Sequence, residues 1–404
     1  MTAGVDAAFL DALARLSVRG GVNLQAGQVL AVSSEIGKEE LTRAVSREAY
    51  RAGARFVDVV YFDVHVKRER LEYAPEETLD YVPPWYGERV LALGELRAAR
   101  LALSGPVVPG LLADVDPVRA GRDRLPWVKE ILTLIKDRST NWSVIPSPTP
   151  GWARLVHPEL DPETHGLAKL WDEIAHVCRL DAPDPVDAWR ERLETLEGAG
   201  ERLSERSFDA LHFEGAGTDL TVGLFPASRW VTARFETAAG ISHIANVPTE
   251  EVFTAPDPGR TEGTVRSTKP LVLNDGTVIT GLRMRFERGR AVEIDADEGA
   301  DVIRGRCAAD EGGSRLGEVA LVDREGRIGR LGTVFYDTLL DENAASHIAV
   351  GSSFDFVLRE EDRGRENVSS IHIDFMIGGD DVQVTGLTSA GERVPVLRGG
   401  GWQI

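Results

Sequence analysis

Residues 28–61 read QVLAVSSEIGKEELTRAVSREAYRAGARFVDVVY. The short apolar run Gln28–Ser33 follows a glycine turn and predicts a strand. From Lys38 to Ala52 apolar residues recur at helical spacing, Gly53 stops that helix, and the valine-rich run Phe56–Tyr61 predicts a second strand. A third strand is expected at Arg100–Ser104, halted by Gly105 and Pro106. Strands alternating with helices imply a parallel, doubly wound α/β sheet. No glycine-rich phosphate cradle follows any of them, so a nucleotide-binding reading lacks its key element.

Working outward, Phe9, Leu10, Leu13 and Leu16 predict an amphipathic first helix, and the early Asp6 argues against an export signal. Residues 162–205 read as helical, with Asp184 capping and Pro185 opening a helix whose Val186, Trp189, Leu193 and Leu196 share one stripe. Past residue 206 the chain changes to short strands separated by turns such as Asn274-Asp275-Gly276 and Glu287-Arg288-Gly289. The expectation is an α/β amino-terminal domain with a mainly parallel sheet and a helical extension (1–190). An α+β carboxy-terminal domain rich in antiparallel strands (191–404) follows it.

Among the 404 residues, 65 acidic side chains face 46 basic ones, for a net charge of −19. That field repels phosphate backbones and anionic lipid, which argues against nucleic-acid and membrane partners. Cys178 and Cys307 are the only cysteines, so neither a disulfide framework nor a thiolate zinc knuckle is available, and a reducing, cytoplasmic setting is expected. No apolar run approaches the ~20 residues of a membrane span.

Four segments concentrate acid and imidazole. In Ile371–Met376, alternation sets His372 and Asp374 on one face of a strand, about 6.6 Å apart and able to converge on one ion. Their bland reading is a hydrogen-bonded pair. Leu316–Val322 carries one carboxylate, Glu318, inside an apolar strand, where it must be neutral, paired, metal-bound or on an exposed face. In Asp341–His347, an ideal helix would separate Glu342 from His347 by about 140°, so they share a site only if Glu342 precedes the helix. Helix capping by Asp341 or Asn343 is favoured on spacing alone. The pair Glu250-Glu251 sits between prolines in a loop-like segment, 246–257, and an isolated pair of this kind is usually solvated.

Taken together, NVPTEEVFTAPD (246–257), RLGEVALV (315–322), FYDTLLDENAASHIAVG (335–351) and NVSSIHIDFMIG (367–378) resemble the aminopeptidase T / aminopeptidase S family, peptidase family M29. NLQAGQ (23–28), TNWSVIPSPTPGWAR (140–154) and LHFEGAGTDLTVGL (211–224) resemble it too, so the likeness runs along essentially the whole chain. The resemblance implies a dinuclear metalloaminopeptidase acting on peptides with a free amino terminus. It makes Glu251, Glu318, Glu342, His347, His372 and Asp374 the ligands of two divalent ions (zinc, cobalt or manganese), with Glu318 as the bridge. Glu250 is the near alternative to Glu251 and the first candidate for proton acceptor. The resemblance also implies a homodimer with the site enclosed near the subunit contact.

One position departs from the family. Phe354 stands where the family carries a tyrosine, seven residues after His347. Loss of that hydroxyl leaves weakened peptidase activity, replacement by Tyr336 or Ser353, or changed chemistry as the alternatives. A mononuclear iron ring-cleaving dioxygenase on the same scaffold, and a metal-binding protein with weakened peptidase activity, are therefore the competing readings. His65, His176, His212 and His243 lack carboxylates at ligand spacing and read as packing residues.

Overall fold

The computed structural model describes residues 6–215, 217–226, 228–273 and 277–404. Val29–Glu35 (β1), a helix at Glu39–Arg51 and Phe56–Phe62 (β2) form the strand–helix–strand unit expected at 28–61. The helix buries Leu41, Ala44, Val45 and Ala49 and carries Glu39 and Glu40 in its first turn, where unpaired amides favour negative charge. Gly53 adopts φ 95°, a left-handed cap that side chains resist, and ends it. Ala99–Ser104 (β3) and Trp142–Pro146 (β4) complete a parallel sheet in the order β2-β1-β3-β4. The sequence reading had no strand at β4, whose five residues end in proline and lack a clear period.

The chain divides into two compact units, Met1–Arg190 with Arg234–Pro248, and Glu191–Ala233 with Thr249–Ile404. Residues 234–248 return to the first unit because Arg234–Glu236 and Ser242–Ile244 pair as a hairpin, and Asn246 bridges Val144 of β4 in parallel.

His243 packs there between Trp142 and Phe235, with ring centroids 6.1 and 6.2 Å away. Burial pushes its imidazole down to about 4, against a smaller opposing pull from the Ile241 backbone. The unfolded chain therefore binds a proton that the folded chain refuses between the ordinary value of 6.5 and about 4. Stability is whole above the first value and lost as pH falls toward the second. Urea unfolding at pH 7.5 and 4.5 should show wild type losing on the order of 2–3 kcal/mol more than His243→Leu over that interval. Equal losses would show that the imidazole is not held neutral.

The helix Pro185–Arg206 begins on Asp184, whose Oδ1 accepts from the Val186 amide at 2.9 Å, and Trp189, Leu193 and Leu196 are buried as the stripe predicts. In the second unit an eight-stranded antiparallel sheet follows, from Arg290–Asp295 at one edge to Gly401–Trp402 at the other. The turn expected at 287–289 forms with Gly289 at φ 77°. The turn expected at 274–276 lies outside the described residues, while Leu271–Val272 and Val278–Ile279 on either side pair antiparallel.

A second antiparallel sheet uses Glu251–Thr254 (β5), Leu316–Val322 (β6), His347–Gly351 (β7) and His372–Met376 (β8), ordered β8-β7-β6-β5. The loop expected over 246–257 is thus a strand from residue 251 onward, buried along its length. Prolines at 248 and 256 suggested irregularity, but Pro248 precedes this strand and Pro256 opens the next one, Pro256–Arg266, a first-residue position that tolerates proline.

Candidate metal centre

Register builds the site. Val322 pairs with Glu251, Ala320 with both Phe253 and His347, Ala349 with both Glu318 and Asp374, and Gly351 with His372. Paired residues share a face, and side chains two apart on a strand share it too. Glu251, Glu318, His347, His372 and Asp374 therefore all project from one face of four adjacent strands. Ala320 and Ala349, small and fully buried, occupy the middle of that face. The other face is apolar, with Val252, Val319, Leu321, Ile348, Val350 and Phe375 all fully buried.

Two glycines set the open end of this face. A Cβ on Gly317 would meet the Gly351 carbonyl oxygen at 2.3 Å, and one on Gly351, at φ 107°, would meet the Ile371 oxygen at 2.1 Å. That close approach carries the Ser352 carbonyl onto His372, whose Nδ1 it contacts at 2.8 Å. The Ala345 carbonyl contacts His347 Nδ1 in the same way at 3.1 Å. With Nδ1 donating to a carbonyl, each neutral imidazole turns the lone pair of Nε2 inward, as metal-binding histidines require.

Five of the six expected ligands meet in two groups, Glu251–Glu318–His347 and Glu318–His372–Asp374. His347 Nε2 lies 3.0 Å from Glu251 Oε2 and 3.6 Å from Glu318 Oε1. His372 Nε2 lies 3.3 Å from Asp374 Oδ1 and 3.7 Å from Glu318 Oε2. Glu318 belongs to both groups, one oxygen toward each imidazole.

Electrostatics demand a positive charge among these atoms. Burial pushes the Glu318 carboxyl up, and the charges of Asp374 and Glu251 add to that. Burial works against charge on His347, yet Glu251 and Glu318 outweigh it and raise the imidazole well above its ordinary value. His372 follows the same logic, raised to about 10 against burial by Asp374 and Glu318. Burial likewise opposes Asp374, but His372 holds that carboxyl low. Glu251 Oε2, His347 Nε2 and Asp374 Oδ1 are buried without a hydrogen-bond partner among the described residues. Acceptors facing one another in this way need a proton or a cation between them, and the nitrogen–oxygen donor set fits divalent ions.

Glu342 lies outside both groups. It sits in the single turn Glu342–Ala344 after the short helix Thr338–Asp341, buried, with its carboxyl pushed well up by burial and then by the charges of Asp374 and Glu251. His347 follows on a strand, so no helix separates the two and the 140° objection lapses. Nor do the neighbours act as caps. Asp341 accepts from the Phe335 and Asp337 amides, and Asn343 Oδ1 accepts from the Glu250 amide at 2.6 Å.

Glu250 turns elsewhere. Its carboxylate accepts from Arg192 Nε at 2.6 Å and from the Arg327 amide at 3.3 Å, and the residue is fully buried. Arg192 also grips Asp323 through both terminal nitrogens, at 3.2 and 3.0 Å, and Trp402 Nε1 donates to Asp323 at 2.7 Å. The sequence reading missed Arg192 and Asp323. The one available signal was an arginine three residues after Trp189 on the edge of a buried stripe.

Phe354 stands against the open side of the cluster, its ring 5.4 Å from that of His372. No membrane-spanning helix occurs among the described residues.

The thermophilic metalloprotease (M29) family model matches residues 7–402. Aminopeptidase T of Thermus thermophilus is 42% identical over 404 residues, covering 98% of each chain. The solved structure of wild-type AmpT from Thermus thermophilus matches with a TM-score of 0.91 at 41% identity, covering 98% of this chain and 99% of that one. A 2,5-dihydroxypyridine dioxygenase from Pseudomonas putida KT2440 matches at TM-score 0.52 and 13% identity, over 98% of this chain and 95% of that one, and shares the fold alone. A match that runs from the first helix to the last strand, through the parallel sheet, the two larger antiparallel sheets and the buried carboxylate–imidazole face, makes this chain a member of the thermophilic metalloprotease family M29.

Proposed function

We propose that the chain is a metal-dependent aminopeptidase releasing amino-terminal residues from peptides, with two divalent ions held by Glu251, Glu318, Glu342, His347, His372 and Asp374. The observation that carries this reading is Glu318, a single buried carboxylate with one oxygen toward each of two imidazole-containing groups. A pair of catalytic ions would need such a shared ligand, and Glu318 would be the residue to supply it. Donors of this kind, with no thiolate, suit zinc, cobalt or manganese. When bound, such ions supply a nucleophile at neutral pH and polarise the scissile carbonyl.

The chain's own residues do the rest. The Ala345 and Ser352 carbonyls fix both imidazoles, and burial of the other five ligands keeps bulk water to the His372 side. The Glu250 carboxylate is occupied by Arg192 Nε at 2.6 Å and the Arg327 amide at 3.3 Å rather than by the cluster. We assign it to holding the chain beside Glu251, and the proton to a carboxylate of the cluster. Phe354 brings no hydroxyl to the site, and loss of one oxyanion donor typically costs about 10²–10³ in rate, so turnover is expected to be slow. The proposal includes a cytoplasmic homodimer, in keeping with two free, buried cysteines and the family resemblance.

Leu-p-nitroanilide hydrolysis should vanish with a chelator and return with Zn²⁺, Co²⁺ or Mn²⁺. Chelator-resistant hydrolysis, or none with any ion, would refute the reading. The fold shared with the dioxygenase carries no chemistry by itself. One iron per chain with oxygen-dependent ring cleavage would put that reading first.

A further inference from the structure

Resting on that reading, we propose that Phe354, with Phe253 and Phe356, forms the wall that selects substrates by an apolar, and best an aromatic, side chain on the amino-terminal residue. His372 is the ligand through which the cluster meets solvent, its side chain 28% exposed against 1% for His347, 7% for Glu251 and Glu318 and 9% for Asp374. Phe354 stands on that approach and remains 41% exposed. Its ring centroid lies 5.4 Å from His372, 5.3 Å from Phe356 and 6.3 Å from Phe253. Phe253 itself projects from the ligand face, opposite Ala320 on β6.

The wall is pre-formed. The Ser352 amide donates to the Ile371 carbonyl at 2.7 Å and the Ser353 amide to the Asn367 carbonyl at 2.8 Å. Asn367 Nδ2 donates in turn to the Gly351 carbonyl at 2.6 Å and the Gly312 carbonyl at 2.8 Å. A loop pinned at successive residues costs little ordering entropy when a ligand arrives. An exopeptidase holds one residue inside its site and leaves the rest of the chain outside, so a wall in contact with a ligand histidine faces that inner residue. Three phenyl rings offer dispersion and edge-to-face contact but no polar atom, and they discriminate against charged or minimal side chains.

The experiment measures kcat/KM for Phe-, Leu-, Ala- and Glu-p-nitroanilide with metal-loaded wild type, Phe354→Ala and Phe354→Tyr, alongside dipeptides Leu-Xaa that vary the second residue. Wild type should favour Phe and Leu over Ala and Glu by on the order of 10–100-fold. Phe354→Ala should lose most of that ratio, and Phe354→Tyr, which keeps the ring, should retain it. Calorimetric titration with the non-hydrolysable L-phenylalaninol and L-alaninol should give the same ratio without turnover. Phe354→Ala lowering all substrates equally, or selectivity residing in the second residue, overturns the wall and leaves the aminopeptidase reading intact. Failure of every substrate with fully loaded wild type overturns both.

Discussion

Glu318→Gln should lower hydrolysis of Leu-p-nitroanilide by about 10³-fold or more, equivalent to about 4 kcal/mol of transition-state stabilisation. The amide keeps the size of the carboxylate but cannot offer a negative oxygen to each of two sites, so bound metal should fall from two ions per chain to one or none. Thermal unfolding of the metal-free protein separates this from simple misfolding. Without ions, Glu318 is a buried carboxyl pushed up by burial and by the charges of Asp374 and Glu251, so removing its charge relieves strain. Metal-free Glu318→Gln should therefore melt no lower than metal-free wild type. A variant that keeps two ions and most of its activity would remove the shared-ligand assignment.

Arg192→Met should destabilise the protein by about 3–5 kcal/mol, because it leaves Glu250 and Asp323 as uncompensated buried charges. Burial works against the guanidinium, and its two carboxylates reverse that and raise it. The double variant Arg192→Met/Glu250→Gln should regain part of the loss, since one of the stranded charges is gone. Metal affinity should fall together with stability, because the Glu250 main chain leads directly into Glu251 and is tied through Asn343 to the turn bearing Glu342. Urea unfolding and metal titration of the three proteins check this. A loss under about 1 kcal/mol would mean that Arg192 is not what makes the buried pair tolerable.

Much of this site could be read from short strings because strand alternation is a local property. His372 and Asp374 fall on one face by spacing alone, and Glu318 stands out as the single charge in an apolar run. Glu342 and His347 resisted the same treatment, because the segment passes from helix to a tight turn to strand within a few residues and no single period describes it. The choice between Glu250 and Glu251 was equally closed to sequence. Adjacent residues on an extended chain point opposite ways, and the side that faces the cluster is set by pairing with Val322, far along the chain. Arg192 lies 58 and 131 positions from its partners, so only tertiary structure reveals why an arginine borders that stripe. The first unit followed its β–α–β pattern closely where strands were long. It departed at β4 and at the returning hairpin 234–248, where segments of three to five residues take their structure from neighbours.

The most direct measurement is an anomalous difference map from crystals of the chelator-stripped protein reloaded with Zn²⁺. Two peaks should flank the Glu318 carboxylate, one beside Glu251 and His347 and the other beside His372 and Asp374. An empty cluster, or a lone peak that Glu318 does not contact, would contradict the dinuclear site on which the proposed chemistry rests.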